Sequence, residues 1–425
     1  MTLQMILALG ILVLMIVMIM SDKFAFGAPP LFACLLLVAT GLSTVQEAFA
    51  GFINPSVVMV AGFMIVMAAL MKTSFIAKVQ TTMISLVNRG GYMSYVLLLI
   101  VVMLGASLAG MGSTGYYVLI LSLVSTIPYN KKMPTSKLMM PLGFATNHPL
   151  VPINVALTYG LTVSVLETAG FMEGVSMIQF AIVNLILSLA FLAWSVLAYR
   201  LLPDHPISEP ENETTEQEIA VSMMSPFQEK VTIIMFIISV IGMMMMNQLG
   251  NLAFVLPGLA ASVILFVGAL DFRSVRDNMV APVIIMMAGV IGVADALGNS
   301  GFTAMVGDWV ADSIGTNLPP LLLILIFVFL TSTSATFTGS NMGSVFIFAP
   351  IAIATCTSLG LNPTAAAVAV VISGWNGGYM PVDGMPAMIL GMGNYKLPEF
   401  WKFSVPMYLI RIVALTVGSV VVFPL

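Results

Sequence analysis

Polar positions along most of this chain are too sparse to set the period of a strand or of a surface helix. Apolar residues run for about 17 to 25 positions at a time, the length of helix that crosses hydrocarbon. Such runs fall at 5–20, 30–42 with its flanks, 55–71 and 177–199, and again at 231–246, 252–269, 279–297 and 403–423. Two further runs, 138–165 and 364–390, are broken near their middles by ATNHPLVPIN and SGWNGGYMPVDGMP, whose prolines and glycines an unbroken helix does not carry. Two more, about 92–127 and 320–358, hold Gly- and hydroxyl-rich centres, GASLAGMGSTG and TSTSATFTGSNMGS, between apolar arms. Irregular chain at membrane depth survives only where protein or a wet cavity satisfies its backbone, so each reads as a re-entrant hairpin, with the stretch 331–350 as the tip of the second.

The order of these elements repeats. Residues 1–202 and 230–425 each predict five crossings, one hairpin and one broken helix, separated by a Glu-, Pro- and Ser-rich segment at 203–229 that reads as a solvated cytoplasmic linker. Five crossings are odd, so the second half enters from the opposite side. The expected fold is an all-α polytopic membrane protein of two inverted repeats, with an amphipathic piece at 301–314 before the second hairpin.

Charge tests that arrangement. Of 14 Lys and Arg, all but Arg411 fall in connections assigned to one side, and the alternate connections hold none. The positive-inside rule makes that side cytoplasmic and both termini extracytoplasmic. The expected location is a bacterial inner membrane. A hydrophobic content of 60% with 8% charged residues fits this class, and the net charge of -4 carries little about substrate, because seven acids lie between 204 and 229. The N-terminal apolar run lacks a basic leader and a small-residue cleavage site, so it reads as a retained span. Cys34 and Cys356 form no CxxC or Cys/His cluster and read as free packing thiols; the 35 methionines likewise read as packing. No nucleotide-binding glycine loop, HExxH or nucleophile elbow is present, and no paired acids sit on adjacent spans, so an enzyme is not expected, nor is nucleic acid as a partner.

Two tips entering from opposite sides bring turns, hydroxyls and helix dipoles to one place near the midplane, which suits a small anion. In the second tip Ser340 and Asn341 offer side-chain groups, while Gly339 and Gly343 admit close backbone approach; Ser113 and Thr114 serve the first. Unwound carbonyls with hydroxyls also suit sodium, at Ser340, Asn341, Gly343 and Asp383 on the second side and at Gly110 and Ser113 on the first. The broken helices add His148 and Asn154, and Asp383, Gly384 and Pro386; Asn147, Trp375 and Asn376 border the same cavity. His148 reads either as a substrate contact or as a hydrogen-bonded filler. Trp375 either shapes the pocket or packs. Asp295 and Arg411, in other apolar runs, are expected to pair with ions not identifiable from sequence. His205, in the linker, has no evident partner.

GSNMGSVFIFAPIAIATCTSLGLNPTAAAVAV with PVDGMPAMILGMGNYKLPEFWKFSVPM, and upstream GFINPSVVMVAGFMIVMAALMKTSF and SKLMMPLGFA, resemble the divalent anion:sodium symporter family of di- and tricarboxylate and sulfate carriers. The resemblance implies a Ser-Asn-Thr motif in each hairpin. Ser340 and Asn341 match the second motif and Met342 replaces its Thr. Met111, Gly112 and Ser113 stand at the first, where only a hydroxyl survives. A thioether is a poor ligand for a hard cation, so a first-side sodium site would rest on carbonyls. Where the family has Gly-Thr-Pro-Pro-Asn turns, this chain has VPIN and VDGMP; Asn154 keeps the amide and Ala387 does not. Asp383 is the main departure, open to three roles: a proton-coupling carboxylate, a cation ligand or an acceptor for unwound N–H groups. The resemblance implies a homodimeric secondary carrier of small organic anions, moving both hairpins against a scaffold in an elevator motion. Sodium or proton would be the coupling ion, with no other cofactor. A sodium/proton antiporter and a proton-coupled or exchange-type anion carrier are the alternatives.

Overall fold

In lipid a helix satisfies its own backbone, so runs this apolar fold as helices and pack through small residues. The computed structural model of the chain describes residues 1–20, 24, 27–74, 82, 83, 85–87, 89–125, 133–152, 154–171, 175–205, 207, 224–302, 305, 308, 309, 318–338, 341–381 and 384–425. Among these the secondary structure is helical. Among the described residues six helices are long and apolar enough to cross a membrane: Tyr92–Ala109, Met177–Leu201, Pro226–Met244, Pro320–Thr338, Asn341–Ser358 and Leu397–Val422.

The inverted repeat shows in the packing. Pro55–Leu70 of the first half packs on Asn251–Phe266 of the second, Pro282–Asn299 packs on Ala28–Ala39, and the fifth crossings, Met177–Leu197 and Leu397–Val422, pack on each other. Glycine makes the first two contacts possible. A Cβ on Gly62 would lie 2.5 Å from the Gly258 nitrogen, and one on Gly289 would lie 2.6 Å from the Pro30 Cβ. The Cys34 thiol is buried here and donates to the Gly289 carbonyl at 3.2 Å.

Long-range bonds at the helix ends join residues expected on the same side. Lys72 reaches Ser274, Ser74 reaches Glu229, and Lys137 lies 3.8 Å from Asp204. At the other end Asn54 donates to Glu167, Ser358 to Asp308 and Gln179 to the Val422 carbonyl.

Both hairpins and both breaks form, with boundaries that differ from expectation. The first hairpin has arms Tyr92–Ala109 and Thr114–Ser125, the second Pro320–Thr338 and Asn341–Ser358. The hydroxyl run at 331–338, expected to be irregular, is helix. Thr331, Ser332, Thr336 and Thr338 each donate to the carbonyl four residues back, so the run carries its polar groups within the helix. The broken helices are Ser136–Ala145 with Ala156–Thr168, and Thr364–Ser373 with Gly384–Met392.

Two short pieces escaped the sequence reading. Thr44 and Glu47 form a reciprocal cap on Val45–Ala48, which with the turn Ala50–Ile53 packs on Pro282–Asn299. Phe272–Met279 is a second, with Phe272 and Met279 exposed beside Arg273 and Arg276. The linker falls mostly outside the described residues, as does much of the amphipathic piece at 301–314. The described start of the linker is docked rather than solvated. Ser136 Oγ donates to the Pro203 carbonyl and accepts from the His205 N–H, and the His205 ring meets Tyr395 edge-on at 5.9 Å. His205 thus has partners that its sequence neighbours do not reveal.

Candidate functional site

The first tip, both breaks, the second hairpin and the last crossing meet around one cavity of 170 Å³. Gly112 reaches it from the first tip and Asn147 from the first break. Asn341 opens the second arm of the second hairpin, while Trp375, Gly377, Gly378 and Pro386 come from the second broken helix; Arg411 comes from the last crossing.

Gly112 has φ +77°, which a residue with a side chain rarely adopts, and a Cβ there would press on the Trp375 indole nitrogen. Its N–H donates to the Asn147 Oδ1 at 2.7 Å, and the Asn147 Nδ2 donates to the Trp375 carbonyl at 2.7 Å. One amide thus satisfies a donor in the first hairpin and an acceptor in the second break, which are two orphans created by interrupting helices.

Arg411 is the other organiser. It is 1% exposed, and its Nε donates to the Asn376 Oδ1 at 3.1 Å, an oxygen that Nη2 also shares. Nη2 reaches the Trp375 carbonyl at 3.5 Å, and Nη1 reaches the Gly377 carbonyl at 3.4 Å and the Met407 sulfur at 3.9 Å. These acceptors are neutral. Among the described residues no carboxylate lies within ion-pairing distance of Arg411, so the ion pair expected from sequence is replaced by carbonyls freed where Thr364–Ser373 ends. A buried guanidinium with no carboxylate partner among the described residues is a source of positive potential at the cavity wall. The N-termini of Asn341–Ser358 and Gly384–Met392 point the same way, since Asn341, Met385 and Pro386 line the cavity.

The residues expected to bind substrate or ion divide. Asn341 and Pro386 line the cavity, with Asn147 and Trp375; Asn376 stands behind it on Arg411. Gly339, Ser340 and Asp383 lie outside the described residues, as do the side chain of Thr114 and the surroundings of Gly384. Gly343 is buried in its helix. Ser113 is half-buried in the first turn, where its N–H donates to the Gly110 carbonyl. Asn154 is turned to the other side of the first tip: its Nδ2 donates to the Leu108 carbonyl at 2.9 Å and it packs on Gly110. His148 is fully buried, stacked on Phe191 at 3.9 Å with Nδ1 at 2.7 Å from the Phe144 carbonyl, and it is absent from the cavity wall. That placement is the one expected of a hydrogen-bonded filler.

Arg411 was legible only as a lone base in an apolar run, a signal for function by itself. Its partners lie 35 residues upstream in a segment without helical period, so no spacing reveals them.

A family model described as citrate transporter matches residues 16–372. Over 143 residues, 33% of the chain, the sequence is 30% identical to the uncharacterized transporter YfbS of Escherichia coli K12, and the match spans 23% of that protein. The fold superposes on the Alcanivorax borkumensis YdaH transporter with TM-score 0.60 at 16% identity, over 90% of this chain and 88% of that one. It also superposes on Neisseria gonorrhoeae MtrF, of a class of antimetabolite efflux pumps, with TM-score 0.60 at 14% identity, over 92% and 85%. At such identities these two likenesses concern the fold alone. With a family match over most of its length and a helical membrane architecture to carry it, the chain belongs to the citrate transporter family and is a membrane transport protein rather than an enzyme.

Proposed function

We propose that this protein is a secondary active carrier of a small organic anion, a di- or tricarboxylate such as citrate, bound in the central cavity opposite Arg411. The observation that carries this reading is the fully buried guanidinium with neutral acceptors only among the described residues. Both Nη1 contacts are long, at 3.4 and 3.9 Å, so that end can exchange weak neutral acceptors for a charged oxygen, a stronger bond. Asn341 and the helix N-termini at 341 and 384 supply further donors. Membership of the citrate transporter family supports the substrate class, and the resemblance to divalent anion:sodium symporters supports cation coupling.

The moving part would hold both hairpins and both broken helices, and the backbone-to-backbone contacts of Pro55–Leu70 with Asn251–Phe266 would belong to the scaffold of an elevator. A homodimer in a bacterial inner membrane, with termini outside, completes the proposal, along with halves at 1–202 and 230–425 and sodium or a proton as coupling ion.

The test is uptake of labelled citrate, succinate and sulfate into proteoliposomes under sodium and proton gradients. Gradient-driven uptake of one carboxylate, lost in Arg411→Gln, is expected. Sodium-for-proton exchange without any anion flux would sink the proposal in favour of an antiporter.

A further inference from the structure

A second cavity, of 560 Å³, opens at the end of the molecule that carries Glu47, Thr168 and Ser358, away from the central site. Its walls come from Pro282–Asn299 on one side and from Ala156–Thr168 and Asn341–Ser358 on the other. Asp295, half-buried on the first of these helices, faces it and is hydrogen-bonded by the Thr168 side chain. Glu47 stands at its rim, held by Thr44, while Val165, Ile291, Phe346 and Ile353 supply apolar wall.

Three features define what fits. The described parts of the connections at this end, 40–54, 168–171, 175–176, 245–250, 298–302, 318–319 and 358–363, contain no Lys, Arg or His, so the mouth attracts cations and opposes free anions. Asp295 lies in the last turns of an apolar helix, half-buried and facing the cavity, and one Thr hydroxyl leaves most of its acceptor positions open to a ligand. The volume lies in the range of small-molecule pockets and the wall is largely apolar. A bare metal ion wants about six oxygens in close array, which such a wall does not offer.

We propose that this cavity binds an organic ammonium ion, with Asp295 as counter-ion and the apolar wall taking its hydrocarbon part. Such an occupant touches Pro282–Asn299 and the second hairpin arm together. This site is independent of the anion reading above.

The test is calorimetric titration of the purified full chain in non-ionic detergent with benzylammonium, benzyl alcohol, benzoate and sodium chloride. Benzylammonium is expected to bind saturably and about tenfold or more tighter than the alcohol or benzoate, and Asp295→Asn to weaken it by a similar factor. Ala294→Leu, which narrows the wall and keeps the carboxylate, is expected to abolish the binding and carries the test if Asp295→Asn does not fold. Arg411→Gln is expected to leave amine affinity unchanged, and loss of anion binding in that variant bears on the central site alone. Equal affinity for the three aromatic probes, an amine affinity indifferent to Asp295→Asn or Ala294→Leu, or amine binding lost in Arg411→Gln overturns the proposal.

Discussion

The contact between Pro55–Leu70 and Asn251–Phe266 and the crossing at the central cavity solve the same problem, joining the two halves inside a membrane, by opposite means. The first removes side chains until backbones touch, at Gly62 on Gly258. The second keeps frayed backbone and satisfies it with Asn147 and Arg411. Small-residue packing has one good arrangement and resists sliding. Hydrogen bonds to carbonyls can be exchanged for bonds to a ligand, so the polar joint is the one suited to open and close.

The steepest test of that contrast is steric. Gly62→Ala pushes a methyl group against the Gly258 backbone and is expected to cost about 3 kcal/mol, read as a lower melting temperature of purified protein. Gly258→Ala faces open space from the other side of the same contact, so its melting temperature should hold or rise. Equal losses in the two variants would show that the contact is looser than its geometry.

At the polar joint, Arg411→Gln should weaken anion binding by about 2 kcal/mol, roughly 30-fold, while leaving the folded state populated. The asymmetry is physical: removing a buried charge relieves its own desolvation cost but deletes the one positive side chain among the described residues of the cavity wall. If Arg411→Gln transports normally, Arg411 is merely a brace for the second break.

Asn147→Leu leaves the Gly112 N–H and the Trp375 carbonyl without their partner, and about 1 kcal/mol or more of stability should go with them. Hydrogen exchange at the first tip would sharpen the comparison, rising in this variant and unchanged in Gly258→Ala.

The smallest effect lies at the surface. The Thr44 backbone N–H, then its hydroxyl, hold the Glu47 carboxyl below the usual carboxylate range. A depressed folded value means the stabilisation is complete above the unfolded value and is lost as pH falls through the folded one. Thr44→Ala should therefore cause a slight fall in melting temperature near neutral pH that disappears in acid, whereas Thr44→Ser should retain the wild-type profile.

Sequence alone determined the helices, the two hairpins, the two breaks and the inverted order, because lipid leaves a spanning chain few choices and apolar length records them. Asn341 and Pro386 were legible at the site for the same reason, since interruptions at matching places in inverted halves must meet. Which side chains fill the meeting point was decided by tertiary structure. Asn154 and His148 share a break with Asn147, yet Asn154 turns to the Leu108 carbonyl and His148 stacks on Phe191, and only Asn147 reaches the second half. The direction of a side chain in unwound chain follows from the neighbours that satisfy it, and no period in the sequence encodes them. Arg411 shows the same limit: its place in an apolar helix is plain from the sequence, and its role emerges only where the carbonyls of 375 and 377 come to lie beside it.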